Sequence, residues 1–166
     1  MKKRVCLIVL VISLVAGLAA CGGGGRAPDA LAIACTENGR TVTLGDDRAA
    51  FDRAFGEPED IGHDNYVYLD GALEVGFEND RATGFQVNAY PHPGRIELPG
   101  LSWEMTLEEL HEKLIATDFM SPDGGFFNQF FDSNGNEVPQ EESAYTMVIA
   151  YFAPAGMTYM VLHESE

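Results

Sequence analysis

Apolar and polar residues alternate over several short stretches of the chain, which is typical of strands with one buried face. The alternation covers residues 31–36, 40–44, 66–77 and 85–89. Asn38-Gly39 lies between the first two stretches and predicts a type I′ hairpin turn, because this turn needs positive φ at both central residues. Asp70-Gly71 and Asn79-Asp80-Arg81 separate the later stretches, so residues 66–89 are predicted to form a three-stranded meander.

Helical spacing of apolar residues interrupts these strands at one place in the first half. Asp47 is a suitable N-cap, and Phe51 and Phe55 lie one turn apart on one face. Gly56 and Pro58 then predict the end of the helix.

The same order of elements begins again after Tyr90-Pro91-His92-Pro93-Gly94. Ile96 and Leu98 precede a Pro99-Gly100 turn, after which Leu101 and Trp103 predict a returning strand. Thr106 and Glu109 have the spacing of a capping box, and a second apolar helical face and later strands follow at Leu107, Leu110, Leu114, 126–131, 145–152 and 157–162.

A shift of 59 residues superposes the two helices and the strands before them. The prediction is therefore a single α+β domain over residues 30–166. Its antiparallel sheet is built from two hairpin–helix–meander units, at 30–90 and 95–163, with the helices packed on one face of the sheet.

The N-terminus has the features of a secretory signal. Lys2, Lys3 and Arg4 precede an apolar run over residues 5–20, and Leu18-Ala19-Ala20-Cys21 follows. This segment resembles the bacterial lipoprotein signal with its lipobox. The resemblance implies cleavage before Cys21 and attachment of acyl chains, such as palmitate, to this residue; an uncleaved signal anchor is the alternative.

A lipidated Cys21 would attach the protein to a membrane of the cell envelope. The expected place is the outer membrane facing the periplasm in a Gram-negative cell, and the outer face of the plasma membrane in a Gram-positive cell. Residues 21–29, which include four consecutive glycines, are predicted to form a flexible linker. Cys35 is then the only free thiol. It alternates with Leu31 and Ile33, so it is predicted to be buried and inert.

A short phrase in the first half resembles small envelope proteins of the BamE (SmpA/OmlA) and beta-lactamase-inhibitory-protein type. Its parts are Thr43-Leu44-Gly45, Phe55-Gly56-Glu57-Pro58 and the aromatic meander over 66–77, within residues 41–90. The second half departs from it, because Glu104 stands in the place of Gly45 and no Gly-x-Pro follows Leu114. The resemblance implies a shared fold and a role in binding proteins.

Motifs for catalysis, metals and cofactors are incomplete. His111-Glu112 lacks the second histidine of a zinc helix, since Ile115 occupies that position. Gly100-Leu101-Ser102-Trp103-Glu104 lacks the last glycine of a nucleophile elbow. The stretch from Asp132 lacks the Gly and Glu of a calcium loop, so it is interpreted as a turn. The protein is predicted to be no enzyme and to need no metal or cofactor.

The charge excludes nucleic acid as a partner, because the formal net charge is -16. Removing residues 1–20 leaves seven basic and 26 acidic side chains, a net charge of -19. Such a field favours a basic protein partner. The candidate partner-binding residues are Trp103, Glu104, Glu108, Glu109, Glu112, Tyr68 and Tyr145.

The resulting hypothesis is a lipid-anchored, non-catalytic binding protein. It would act as an immunity or inhibitor protein against a basic enzyme or toxin. An envelope assembly or scaffold lipoprotein is the first alternative, and an unrecognised hydrolase is the second.

Overall fold

A computed structural model describes residues 26–90, 94–121 and 123–165 of the chain. The predicted signal segment, the lipidation residue Cys21 and the glycine run lie outside these residues. No helix in the described ranges is long and apolar enough to cross a membrane.

Eight antiparallel strands form the main sheet, in the order β3-β4-β5-β6-β11-β10-β9-β8. The strands of the first half are β3 (Glu59–Gly62), β4 (Asn65–Tyr68), β5 (Leu73–Glu78) and β6 (Arg81–Asn88). Those of the second half are β8 (Ile115–Ser121), β9 (Gly124–Phe131), β10 (Tyr145–Phe152) and β11 (Gly156–Glu164). Strands β6 and β11 pair with each other and join the two halves.

A second, three-stranded sheet has the order β2-β1-β7, with β1 (Ile33–Cys35), β2 (Thr41–Val42) and β7 (Ile96–Glu97). It too joins the halves, since β7 pairs with β1. Two sheets and two α-helices within the described residues give a sheet-dominated α+β fold, which confirms the predicted class. Cys35 is buried and unpaired with another cysteine, as predicted.

Both helices lie against one face of the large sheet. Helix α1 (Arg48–Phe55) places the ring of Phe51 5.4 Å from that of Phe77 and 6.5 Å from that of Phe85. Helix α2 (Leu107–Lys113) places the His111 ring 5.1 Å from that of Phe127. Cross-strand pairing connects these contacts, because one row of directly opposed residues runs from Tyr68 through Leu73, Val87, Met160 and Ile149 to Phe127.

The local signals for the helix ends are confirmed. The Asp47 side chain accepts a hydrogen bond from the backbone N–H of Ala50, at 2.7 Å, and Gly56 ends α1 with a φ of 87°. Thr106 and Glu109 form both hydrogen bonds of a capping box at the start of α2. These signals depend only on residues close together in the chain, so they can be recognised in the sequence.

The predicted linker extends too far into the chain. Ala27 is buried, and its N–H donates to the carbonyl of Leu44 at 2.8 Å. Arg26 forms ion pairs with Asp29 and Asp46. The packed part of the chain therefore includes residues 26–29, because hydrogen bonds and ion pairs hold them to the domain.

Three predicted turns and strands differ from the structure. The turn after β1 is not type I′, since only Gly39 of the Asn38-Gly39 pair has positive φ. The hairpin predicted around Pro99-Gly100 does not form two strands. Ile96 pairs with β1 instead, and a single bridge joins Leu98 to Leu101. The edge strands β3 and β8 were not predicted, so each meander has four strands.

Candidate functional site

The face of the large sheet that points away from the helices is the candidate site. One row of directly opposed residues crosses all eight strands on this face: Glu59, Val67, Glu74, Gln86, Val161, Val148, Asn128 and Ile115. Side chains alternate between the two faces along a strand, and the neighbours of this row contact the helices. We call this surface the open face.

The half of the open face formed by β3 to β6 is acidic and polar. Glu59, Glu74 and Gln86 lie in the row, with Val67 between the two glutamates, and Asn88 lies two residues from Gln86 on the same face. The amide nitrogen of Gln86 donates to Asn88 Oδ1 at 2.7 Å, and Asn88 Nδ2 donates to the carbonyl of Gly71 at 2.9 Å. These bonds fix the two amides beside the carboxylate of Glu74.

Glu74 is a carboxylate that the fold has almost removed from solvent. Its exposed fraction is 6%. Oε2 is buried and has no hydrogen-bond partner within the described part of the chain. Burial raises the pKa of Glu74 above its usual value, and a hydrogen bond with Asn88 opposes this shift. A buried charge without a full set of partners is costly, so this position is not explained by stability alone.

The other half of the open face, formed by β9 to β11, is mainly apolar and aromatic, with Asn128, Thr146 and His163 as its polar members. The Phe126 ring lies 5.7 Å from that of Phe152 and 6.4 Å from that of Tyr159. Val148 and Val161 continue this surface toward the centre of the sheet, and Ile115 at the β8 edge is 59% exposed. The open face therefore changes from acidic at one edge to apolar at the other.

The seven basic side chains of residues 26–165 lie outside the central row of the open face. Arg48 stacks over the Tyr66 ring on the helix side of the sheet, 5.0 Å from its centroid. Arg81 donates to the carbonyl of Gly45, just before α1. Arg26, Arg53, Arg95 and Lys113 bind groups of the helices, the small sheet and their loops, and Arg40 follows the turn after β1. Within the described ranges, no lysine or arginine lies in the central row of the open face. Arg81 lies opposite Glu78 at the end of β5 and β6, and Arg95 lines a groove with Glu59 and Val67.

Two of the predicted partner-binding aromatics are not exposed. Tyr68 is fully buried, and its hydroxyl donates to Asp52 at 2.9 Å. Burial raises the pKa of Tyr68, which keeps the hydroxyl a neutral donor. Tyr145 is 8% exposed and points to the helix side, opposite Phe131. The prediction that these residues are surface anchors is wrong, because both lie on the buried face of the sheet.

The predicted residues around α2 are together, but on the helix side of the molecule. Trp103 is half-buried, and its ring N–H donates to the carbonyl of Ile96 at 3.0 Å. Glu109 is engaged in the capping box, and the backbone N–H of Thr106 lowers the pKa of its carboxyl. Glu104, Glu108 and Glu112 remain exposed, so they form a second acidic surface separate from the open face.

Among the described residues, neither a metal-ligand cluster nor a pocket competes with the open face as the candidate site. No group of three His, Cys, Asp or Glu side chains in the described ranges could hold a metal ion. A groove of about 460 Å³ lies beside β3 and the end of α1, lined by acidic Glu57, Glu59 and Asp70 together with Arg95. The groove is open to solvent, and it has charged residues along its rim without an enclosed floor.

The sequence carries a signal for the open face that the predictions did not use. Strand β10 is apolar at almost every position, with Val148, Ala150 and Phe152 between the residues that face the helices. A strand of a sheet with one solvated face should alternate with polar residues. This nearly continuous apolar run therefore indicates that the open face of the sheet is also covered, and is not fully exposed to solvent.

Comparison with protein-family models, with curated proteins and with solved structures finds no match to this chain.

Proposed function

We propose that this chain is a lipid-anchored protein of the bacterial cell envelope that binds a basic protein through its open face, without catalysing a reaction. The separation of charge carries the proposal. Glu59 and Glu74 lie in a central row that has no lysine or arginine among the described residues. The basic groups at its margin already have partners, since Arg81 donates to the carbonyl of Gly45 and Arg95 pairs with Glu37. Such a face repels acidic proteins and attracts basic ones.

The apolar half of the open face supplies the second part of a protein-binding surface. Phe126, Phe152 and Tyr159 form a continuous aromatic strip. Aromatic groups contribute strongly at protein interfaces, because they bury a large area with little loss of conformational freedom. A partner with a basic patch beside an apolar one would complement both halves, and an immunity or inhibitor role against a basic enzyme or toxin fits this chemistry.

The order of elements supports the interpretation of two related units. Helix α1 precedes the meander β3 to β6, and α2 precedes the meander β8 to β11. The two meanders meet through their last strands. We infer that a duplication of one helix–meander unit produced the wide sheet on which the open face lies.

The membrane anchor is part of the same proposal and is tested separately. The lipobox at Leu18-Ala19-Ala20-Cys21 supports lipidation of Cys21. In that case only residues 22–25 separate the anchor from the packed segment at Arg26, which holds the domain close to the membrane. The full chain should partition into detergent on Triton X-114 phase separation, and Cys21→Ser should move it to the aqueous phase.

A capture experiment tests the binding face. The soluble chain beginning at residue 22 would be immobilised and exposed to envelope extract at low and high salt. Basic proteins should bind at low salt and leave at high salt. Val161→Lys places a positive charge at the centre of the open face and should abolish capture. Glu108→Lys on α2 changes the charge by more, yet should retain the same partners.

Circular dichroism would first establish that both variants are folded. Capture that survives Val161→Lys, or that selects acidic proteins, would contradict the proposal. Stable, salt-independent association with integral outer-membrane proteins would support an envelope scaffold instead.

A further inference from the structure

We propose that Glu74 receives one lysine or arginine side chain of the partner protein, an inference that rests on the proposed function of the open face. Glu74 lies on the third strand of the sheet, between Val67 and Gln86 in the central row. It is the carboxylate of this row that the fold buries, whereas Glu59 at the edge is exposed.

The unmet hydrogen-bonding capacity around Glu74 is that of an acceptor. Oε2 has no partner in the described part of the chain. The nitrogen of Gln86 donates one of its two hydrogens to Asn88, and its carbonyl oxygen is a further acceptor in the same row as Glu74. A ligand that satisfies two acceptors must bring donors, and a positive one would also compensate the carboxylate charge. An ammonium or guanidinium group has both properties.

The approach to Glu74 is narrow. The residue keeps only 6% of its surface exposed, which suits the slender end of a long side chain better than a broad contact. The carboxylate is removed from most of the water that would screen it, so an ion pair formed here is stronger than one at an exposed glutamate.

The partner would reach the aromatic strip at the same time. Tyr159 lies opposite Asn88, two strands from Glu74 and one step along the sheet. Strand and residue spacings place the two residues on the order of 12 Å apart. A basic side chain beside an apolar segment of one partner surface can therefore contact both positions.

Glu74 should also make the free protein less stable, which separates this role from a structural one. A residue retained for packing destabilises the fold when it is changed. Glu74→Gln keeps the shape of the side chain and removes a charge that has no full set of partners. We therefore expect this variant to melt at a higher temperature than the wild type at pH 7, while it binds more weakly.

Nuclear magnetic resonance titration with small probes tests the site on the folded chain from residue 22. N-acetyl-argininamide should shift the amide signals of Glu74, Gln86 and Asn88. N-acetyl-citrullinamide has the same shape without the charge and should leave them unchanged. Glu74→Gln should abolish the shifts, while Glu78→Gln, an exposed change on the same strand, should preserve them.

Equal shifts with the neutral probe, or shifts that persist in Glu74→Gln, would overturn the inference. For a protein partner captured through the open face, Glu74→Gln should weaken affinity about 30-fold. If Val161→Lys abolishes capture and Glu74→Gln does not, the open face binds a partner but Glu74 is not its receptor. If neither variant affects capture, the proposed function itself fails.

Discussion

Two carboxylates in this protein differ in their response to pH because their surroundings differ. Asp132 accepts hydrogen bonds from the backbone N–H groups of Asn134 and Asn136, at 2.8 and 2.9 Å. Hydrogen bonds from the Asn136 side chain and backbone are the main cause of a pKa of about 2 for Asp132. Glu74 is shifted in the opposite direction by burial. One group is stabilised in its charged form, and the other in its neutral form.

The lowered pKa of Asp132 predicts how the turn after β9 contributes to stability. Its contribution is present above the ordinary aspartate pKa of 3.8 and is lost as the pH falls through about 2. Asp132→Ala should therefore lower the melting temperature at pH 7, and the difference from the wild type should shrink below pH 4. Thermal unfolding at several pH values measures this, with the exposed change Glu142→Gln as control. A difference that stays constant down to pH 2 would contradict the prediction.

The raised pKa of Glu74 leads to the opposite expectation. Its neutral form is favoured in the folded state, so the wild type and Glu74→Gln should be equally stable below the ordinary glutamate pKa of 4.5. As the pH rises through the raised pKa, the wild type should lose stability relative to the variant. Urea unfolding at pH 4 and pH 7 compares the two proteins, and a gap already present at pH 4 would contradict the assignment.

Single residues were predictable where a local rule governs them. Asp47, Thr106 and Glu109 cap their helices as expected, because capping involves residues three positions apart. Tyr68 was assigned to the wrong side because local pattern alone does not say which face of a strand a helix will cover. Its row continues through Leu73 and Val87, which the fold places beneath α1.

Whole elements were predictable where burial imposes a period. Strands β5 and β10 follow the predicted stretches closely, since each has a face in the core, whereas β6 begins at Arg81, four residues before the predicted stretch. The edge strand β3 has all four residues exposed, so burial leaves no alternation in its sequence. Strand β3 joins the sheet because it pairs with β4, and no pattern within β3 predicts this pairing.

Helix α1 is attached to the sheet mainly through one ring. Phe51 is fully buried and lies within 6.5 Å of four aromatic rings, those of Phe55, Tyr68, Phe77 and Phe85. Phe51→Ala should cost about 3–5 kcal/mol of unfolding free energy, since it leaves a cavity among these rings. Arg53→Ala, on the exposed side of the same helix, should change it by less than about 0.5 kcal/mol. Urea unfolding checks both values, and similar losses for the two variants would show that Phe51 does not anchor the helix.

At the scale of the molecule, the candidate site depends on pairing between distant parts of the chain. Glu59 and Ile115 end the same row of the open face, although 56 positions separate them in the sequence. Their place in one row follows from the order of eight strands, which the sequence patterns of individual strands do not specify. This is why the sequence points to the acids of α2, which are close together in the chain, and does not single out Glu74.

The same long-range pairing predicts that neither half of the domain is stable alone. Strands β6 and β11 pair Phe85 with Leu162 and Val87 with Met160, all buried, and β1 pairs with β7. Separation would expose these apolar residues and leave unpaired sheet edges. Residues 26–90 and 94–166, produced separately, should show no cooperative thermal transition, whereas mixing them should restore one.

The intact chain, cut between Tyr90 and Gly94 after folding, provides the control and should remain associated on gel filtration. A half that unfolds cooperatively by itself would contradict the prediction, because its strand of the β6–β11 pair would then be stable without a partner. Reassembly also bears on binding, since the acidic part of the open face belongs to the first half and the aromatic strip to the second. Only the reassembled sheet should therefore regain capture of a basic partner.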